Sequence, residues 1–275
     1  MTVAYLVLDQ NVLRKPELDE KINRQPDLRF VLPDLALLEM TKGEQWEATL
    51  LRSLSTLASV PDRTFLAYSV NEALAYELRT QRPKVDRMLW KPATTFTRDL
   101  LKWVRTGRET EAISRIRRDP SEDKQAVIAD HLTHEENKAS IARLIAATKS
   151  QITSETQKAL RGKKFSPEEV LDIVHQLAQS VAYGVLEDRN VLGKTAQTFL
   201  RQRPVFYRYV IVHAWNCIHW ISQGGFETFA DASASNELLD HQYVITASCF
   251  QGILSNETKV NNAYQALIAV LPREV

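Results

Sequence analysis

The chain begins with an apolar run that ends at a carboxylate. Residues 3–8 are all apolar or aromatic and include two β-branched valines, and Asp9 follows directly. A strand that is covered on both faces has this composition, because neither face needs polar side chains. A carboxylate at the end of such a strand is costly to desolvate unless a cation compensates it. The sequence therefore predicts a sheet packed on both faces, with a charge-compensated site at the end of its first strand.

Strand and helix signals alternate after this run. Residues 29–32 and 64–67 predict a second and a third strand. Asp34 is a candidate N-cap for a helix after the second strand, and further helices are expected over residues 44–58 and up to about Arg79. This alternation is typical of an α/β domain that is built on a parallel sheet.

The alternation stops near residue 80 and resumes near the C-terminus. Residues 81–194 are charged and helical in period. Residues 195–222 predict a long aromatic helix that is broken by Pro204 near its start. Ser235 is a candidate N-cap for a helix to residue 248, and a strand over 250–254 and a helix over 257–270 follow. We therefore expect one α/β domain assembled from residues 1–80 and 195–275, with a helical insertion at residues 81–194.

The composition excludes some classes of protein. The chain has 35 Lys and Arg residues against 34 Asp and Glu residues, so bulk charge does not drive it onto nucleic acid. No apolar stretch approaches the roughly 20 residues of a membrane span. Cys217 and Cys249 have no zinc spacing and predict reduced core residues, which indicates a cytoplasmic protein without membrane association.

Four acidic residues each stand at the end of a short apolar run: Asp9, Glu39, Asp240 and Glu257. In a doubly wound sheet, ligands bind beyond the carboxyl ends of the strands, where Asp9 and Glu257 are expected. Glu39 and Asp240 would point to the same edge from helices. Carboxylates that converge in this way are best compensated by a divalent metal with oxygen ligands, which predicts a metal-dependent phosphodiesterase.

The ordered set resembles the PIN-like ribonuclease superfamily. The segments that carry the resemblance are Leu-Asp-Gln-Asn-Val around Asp9, Leu-Leu-Glu at Glu39, Asn-Glu-Leu-Leu-Asp at Asp240 and Ser-Asn-Glu-Thr at Glu257. It covers about residues 1–79 and 232–270, with Asn11 and Asn256 in supporting positions. Glu257 stands where the family has Asp, and its longer side chain puts the second metal position in doubt.

The resemblance implies a PIN-like fold and endonucleolytic cleavage of RNA that depends on Mg²⁺ or Mn²⁺ held by these four acids. A toxin-type or defence role rests on analogy alone. Local basic residues are the candidate RNA contacts, namely Arg14, Lys42, Arg201, Arg203 and Arg208. The sequence is also compatible with a protein partner at the helical insertion and with a homo-oligomer.

Three alternatives remain open. A PIN-like scaffold with an altered last acid is compatible with a non-catalytic module that binds RNA or protein. Asp9 after a first strand also occurs in phosphatases, although their Asp-x-Asp pattern is absent because Asn11 takes the second position. The spacing of Arg208 and His213 loosely resembles the motif of HEPN ribonucleases, which cleave without metal.

Overall fold

The structure is a computed structural model that describes residues 4–41, 43–90, 93–118, 146, 148, 150–224 and 231–275, with the backbone alone for 231–239. It is an α/β fold, mostly helical, with a four-stranded parallel sheet of order β3-β2-β1-β4. The strands are β1 (Tyr5–Leu8), β2 (Arg29–Leu32), β3 (Thr64–Leu66) and β4 (Ile253–Leu254). The predicted α/β class is confirmed, and the finer PIN-like identity remains a prediction.

Twelve α-helices have both ends within the described parts of the chain. The first six are α1 (Pro16–Arg24), α2 (Asp34–Thr41), α3 (Trp46–Leu54), α4 (Val70–Thr80), α5 (Ala93–Thr106) and α6 (Glu111–Arg118). The others are α7 (Ser154–Arg161), α8 (Pro167–Glu187), α9 (Gly193–Arg201), α10 (Val205–Ser222), α11 (Asp231–Ser248) and α12 (Thr258–Val270). None of these described helices has the length and apolar composition that a membrane crossing requires.

Both faces of the sheet are buried, as the apolar first strand predicts. Val7 and Val31 face one core together with Ala247 of α11. Leu8, on the opposite face, belongs to a second core that includes Phe30, Leu32 and the inner sides of α2, α3 and α5. Because alternate residues of a strand point to opposite faces, a strand between two cores must be apolar throughout.

The described part of residues 81–194 packs on both of these sides. Helices α5 and α6 contribute to the core beside α2 and α3, whereas α8 packs with α10 in the largest core. The first residues of α8 are fixed by a capping box, in which Ser166 and Glu169 exchange hydrogen bonds between side chain and backbone. The domain boundaries at residues 80 and 194 remain predictions.

Several element limits differ from the sequence prediction. The break predicted at Pro204 is confirmed: it separates α9 from α10, because Arg203 has a positive φ of 51° and Pro204 cannot continue a helix. Helix α11 begins at Asp231, so Ser235 is not its N-cap. The helix predicted over 44–58 is shorter and is followed by a 3₁₀ turn, and the last strand contains only Ile253 and Leu254.

Candidate active site

The sheet changes its direction of winding between β1 and β4. Strands β2 and β3 lie on one side of β1, and the chain then returns to place β4 on the other side. At such a switch point, the connections leave the strand ends in opposite directions and open a crevice beyond their carboxyl ends. The backbone N–H of Asp9 donates to the carbonyl of Leu254 at 3.0 Å, so Asp9 lies directly beyond the carboxyl ends of β1 and β4, where the switch point is.

Asp9 is held by neutral donors. The residue is only 6% exposed. Ser255, 246 residues later in the chain, donates from Oγ to Asp9 Oδ2 at 2.5 Å. The Asn11 amide donates to the same oxygen at 2.8 Å, and the Asn11 backbone N–H donates to Oδ1 at 3.3 Å. Burial raises the pKa of Asp9, although these donors act in the opposite direction.

Asn11 connects the ends of β1 and β4. Its Nδ2 also donates to Glu257 Oε1 at 3.1 Å, and its Oδ1 accepts from the backbone N–H of Asn256 at 3.2 Å. The N–H of Glu257 donates to Ser255 Oγ at 3.1 Å. Asn256 therefore supports the cluster through its backbone N–H. The exposed Glu257 carboxylate is connected to Asp9 by a single side-chain amide, that of Asn11, which donates to both.

Glu39 reaches the same region through Tyr243. The Tyr243 hydroxyl, which is nearly fully buried, donates to Glu39 Oε2 at 2.7 Å and accepts a hydrogen bond from the backbone of Gln10. Burial and the adjacent Glu39 carboxylate raise the pKa of Tyr243, so the phenol stays protonated. Tyr243 thus links α2, the residue after Asp9 and α11.

Asp240 lies three residues before Tyr243 on α11 and therefore on the same face of that helix. Burial, followed by the charges of Glu257, Asp9 and Glu39, raises the pKa of Asp240 to about 8. All three groups are negative when ionised, and such charges raise the pKa of a carboxyl only when they lie near it. The structure therefore brings together the four acids that were predicted from the sequence, with Asp240 in the third turn of its helix.

The donor set fits a hard divalent cation in its chemistry. It consists of carboxylate, amide and hydroxyl oxygens, which are the ligands that Mg²⁺ and Mn²⁺ prefer. Within the described residues, however, no three His, Cys, Asp or Glu side chains have the arrangement of a metal site. The Asn11 amide occupies the space between Asp9 and Glu257, so a bound cation would require this side chain to turn.

The candidate RNA-binding arginines are dispersed. Arg14 is exposed, near the acidic cluster in sequence, and donates to Ser53 Oγ at 3.0 Å. Arg201 is exposed, and the guanidinium of Arg203 donates to the carbonyl of Arg273. Lys42 lies outside the described residues.

Arg208 is buried, which the sequence prediction of an RNA contact did not anticipate. Its guanidinium donates to the carbonyls of Arg203 and Ser248. Ser248 ends α11 and comes before β4, about 12 Å along the helix axis from Asp240. Arg208 therefore lies near the amino ends of the strands, away from the acidic edge.

His213, the partner of Arg208 in the alternative motif, is also placed in the interior. Burial lowers its pKa to about 4, and neither ring nitrogen has a hydrogen-bond partner among the described residues. Because Arg208 is bound to backbone carbonyls, the two side chains do not form an open catalytic pair in this structure.

Sequence reasoning did not single out Ser255 and Tyr243. Tyr243 could have been found from its i+3 spacing to Asp240, and Ser255 from its position directly after the last strand. Comparisons with protein-family models, with curated proteins and with solved structures found no match to this chain.

Proposed function

We propose that this protein is a divalent-metal-dependent phosphodiesterase that cleaves RNA, with Mg²⁺ or Mn²⁺ held among Asp9, Asp240, Glu39 and Glu257. One observation carries the proposal. Besides burial, the groups within the described residues that raise the pKa of the Asp240 carboxyl are the three other acids of the cluster. Such repulsion destabilises the protein without a cation and favours binding of one. Perturbed carboxylates in a crevice are typical of catalytic sites.

The chain's own residues have separable tasks in this proposal. Ser255 fixes Oδ2 of Asp9, and the backbone N–H of Asn11 holds Oδ1. Tyr243 orients Glu39, and Asn11 sets the separation between Asp9 and Glu257. A cation bound there would lower the pKa of a water and neutralise charge on a phosphodiester. The choice of RNA as substrate comes from the PIN-like resemblance.

A non-catalytic binding module is the second candidate. It is favoured by the Asn11 amide, which already compensates Asp9 and Glu257 through neutral hydrogen bonds. In that case the cluster would need no metal, and RNA or protein would bind elsewhere on the surface.

The test is cleavage of a labelled single-stranded RNA in Mg²⁺, in Mn²⁺ and in excess EDTA. We expect cleavage by the wild-type protein, with loss in EDTA and a loss of at least about 100-fold in Asp9→Asn and Asp240→Asn. Asp27→Asn is the matched control, since Asp27 is exposed in the turn before β2. Cleavage that survives EDTA and both substitutions would overturn the proposal, as would hydrolysis of a small phosphomonoester without RNA cleavage. No cleavage under any condition would favour the binding module.

A further inference from the structure

A cavity of about 180 Å³ lies between the end of α7, the start of α8 and the second half of α10. Its walls are formed by apolar side chains from all three helices and the loop between α7 and α8, namely Leu160, Phe165, Val170 and Ile218. Trp215, His219, Ser222 and Lys163 complete the lining. The predicted ribonuclease chemistry does not use this cavity.

Two aromatic rings stack on each other in the lining. Trp215 and His219 lie one helical turn apart on α10, and their rings are stacked, parallel within 6° at a centroid distance of 5.3 Å. His219 Nε2 is 2.8 Å from the side-chain amide nitrogen of Gln223, which restrains its rotation. Both side chains are partly exposed, so a further planar group can extend this stack from the cavity.

The rim of the cavity is cationic. Lys163 lines it and is exposed, and it has a positive φ of 52° in the tight turn that ends α7. Arg161 and Lys164 are exposed on either side of it. An apolar pocket with stacked aromatic rings in its lining and cations at its edge matches a nucleotide, in which a base is joined to a phosphate.

The start of α12 lies near both the cavity lining and the acidic cluster. Lys259, in the first turn of α12, is close enough to His219 for its charge to lower the pKa of that imidazole. Lys259 is two residues from Glu257, so their Cα atoms are at most about 7 Å apart. This short segment therefore contributes one lysine near the cavity and one carboxylate to the acidic cluster.

We propose that this cavity holds one unpaired base of a single-stranded RNA, which extends the stacked Trp215–His219 pair, with a neighbouring phosphate on Lys163. A cavity of about 150 Å³ admits benzene, so this one is large enough for a single base. A base inside a duplex cannot enter it, because both of its faces are already stacked. The inference rests on the proposed ribonuclease function for the identity of the nucleic acid, and it makes that enzyme selective for single strands.

Binding of a fluorescein-labelled ten-nucleotide oligouridylate, measured by anisotropy, tests the inference. All variants carry Asp9→Asn, so that the probe stays intact. Trp215→Leu should weaken binding by about 5-fold to 150-fold, which is the usual range for one stacked base. Trp215→Phe keeps an aromatic face and should retain most of the affinity. Thermal unfolding of both variants checks that the fold is unchanged.

Lys163→Ala supplies a variant at an exposed position, where folding is not at risk. It should weaken binding and lower the slope of log affinity against log salt by about 0.7, the value for one phosphate contact on a single strand. Lys194→Ala is the matched control. Lys194 is exposed on α9, beyond the far end of the 21-residue helix α8.

The outcomes separate this inference from the proposed function. If the wild-type protein cleaves RNA but Trp215→Leu and Lys163→Ala bind the probe normally, the cavity is not a base site and the ribonuclease proposal stands. If these two variants lose binding and the wild-type protein cleaves nothing, the base site stands and the catalytic proposal is wrong. Equal binding of a duplex probe, or no binding of the single strand, would overturn the inference.

Discussion

Asp240→Asn should make the metal-free protein more stable. The pKa of Asp240 is raised to about 8 from an ordinary value of 3.8, first by burial and then by Glu257, Asp9 and Glu39. Between these two values the folded state binds more protons than the unfolded state. Stability therefore falls as the pH rises through this window, and the loss is complete above about pH 8.

The size of the effect follows from the same shift. One pKa unit corresponds to about 1.4 kcal/mol, so the cost at pH 7 has a ceiling of about 4 kcal/mol. Asp240 is partly exposed, and solvent screening reduces the expected gain in the free energy of unfolding to about 1–3 kcal/mol. For a chain of this size, that gain raises Tm by roughly 2–10 °C.

The assay is thermal unfolding in EDTA at pH 5, 7 and 8.5. Asp240→Asn should unfold at a higher temperature than the wild-type protein, with a difference that grows with pH. Addition of Mg²⁺ should then stabilise the wild-type protein and leave the variant unchanged. Asp27→Asn, at an exposed turn, should match the wild-type protein throughout. Equal Tm values for Asp240→Asn and the wild-type protein at pH 8.5 would refute the electrostatic reasoning.

Three other substitutions give distinct expected results. Glu77→Ala should lower the free energy of unfolding, measured by denaturant titration, by about 3–5 kcal/mol. The buried Glu77 carboxylate accepts hydrogen bonds from the backbone N–H groups of Lys84, Val205 and Phe206, which would lose their acceptor. A loss below about 1 kcal/mol would contradict this role. Tyr243→Phe should lower RNA cleavage by about 10-fold without loss of fold, since Glu39 loses its donor at 2.7 Å, and unchanged kcat would show that Glu39 needs no orientation. Asn11→Asp should lower the Tm in EDTA and increase the stabilisation by Mn²⁺, because a further carboxylate replaces the bridging amide. If the variant and the wild-type protein have the same Tm in EDTA, charge repulsion at this position is excluded.

The sequence predicts the parallel α/β class because its strongest signals are local. The apolar run before Asp9 indicates a strand between two packed layers, and residues 29–32 and 64–67 each end before a helix start. The limits of α11 were harder to predict, since Ser235 has the chemistry of an N-cap although the helix continues through it. Tertiary packing of α11 against the sheet overrides that local preference.

The candidate site is predictable only as a list of acids. That Asp9, Glu39, Asp240 and Glu257 converge depends on strand order, and the pairing of β4 with β1 joins residues that local patterns do not connect. The aromatic neighbours of Arg208 are compatible with burial, but its hydrogen-bond partners could not be predicted, because they are carbonyl groups whose positions depend on the fold.

The most direct test of the proposed site is a crystal structure of the protein soaked with Mn²⁺, with anomalous difference density measured at the carboxyl ends of β1 and β4. We expect a peak within about 2.0–2.5 Å of carboxylate oxygens of both Asp9 and Asp240, with the Asn11 side chain turned away from its present bridge. If the crevice shows no density at millimolar Mn²⁺ while Asn11 still joins Asp9 to Glu257, the cluster does not hold a metal and the proposed hydrolytic chemistry is wrong.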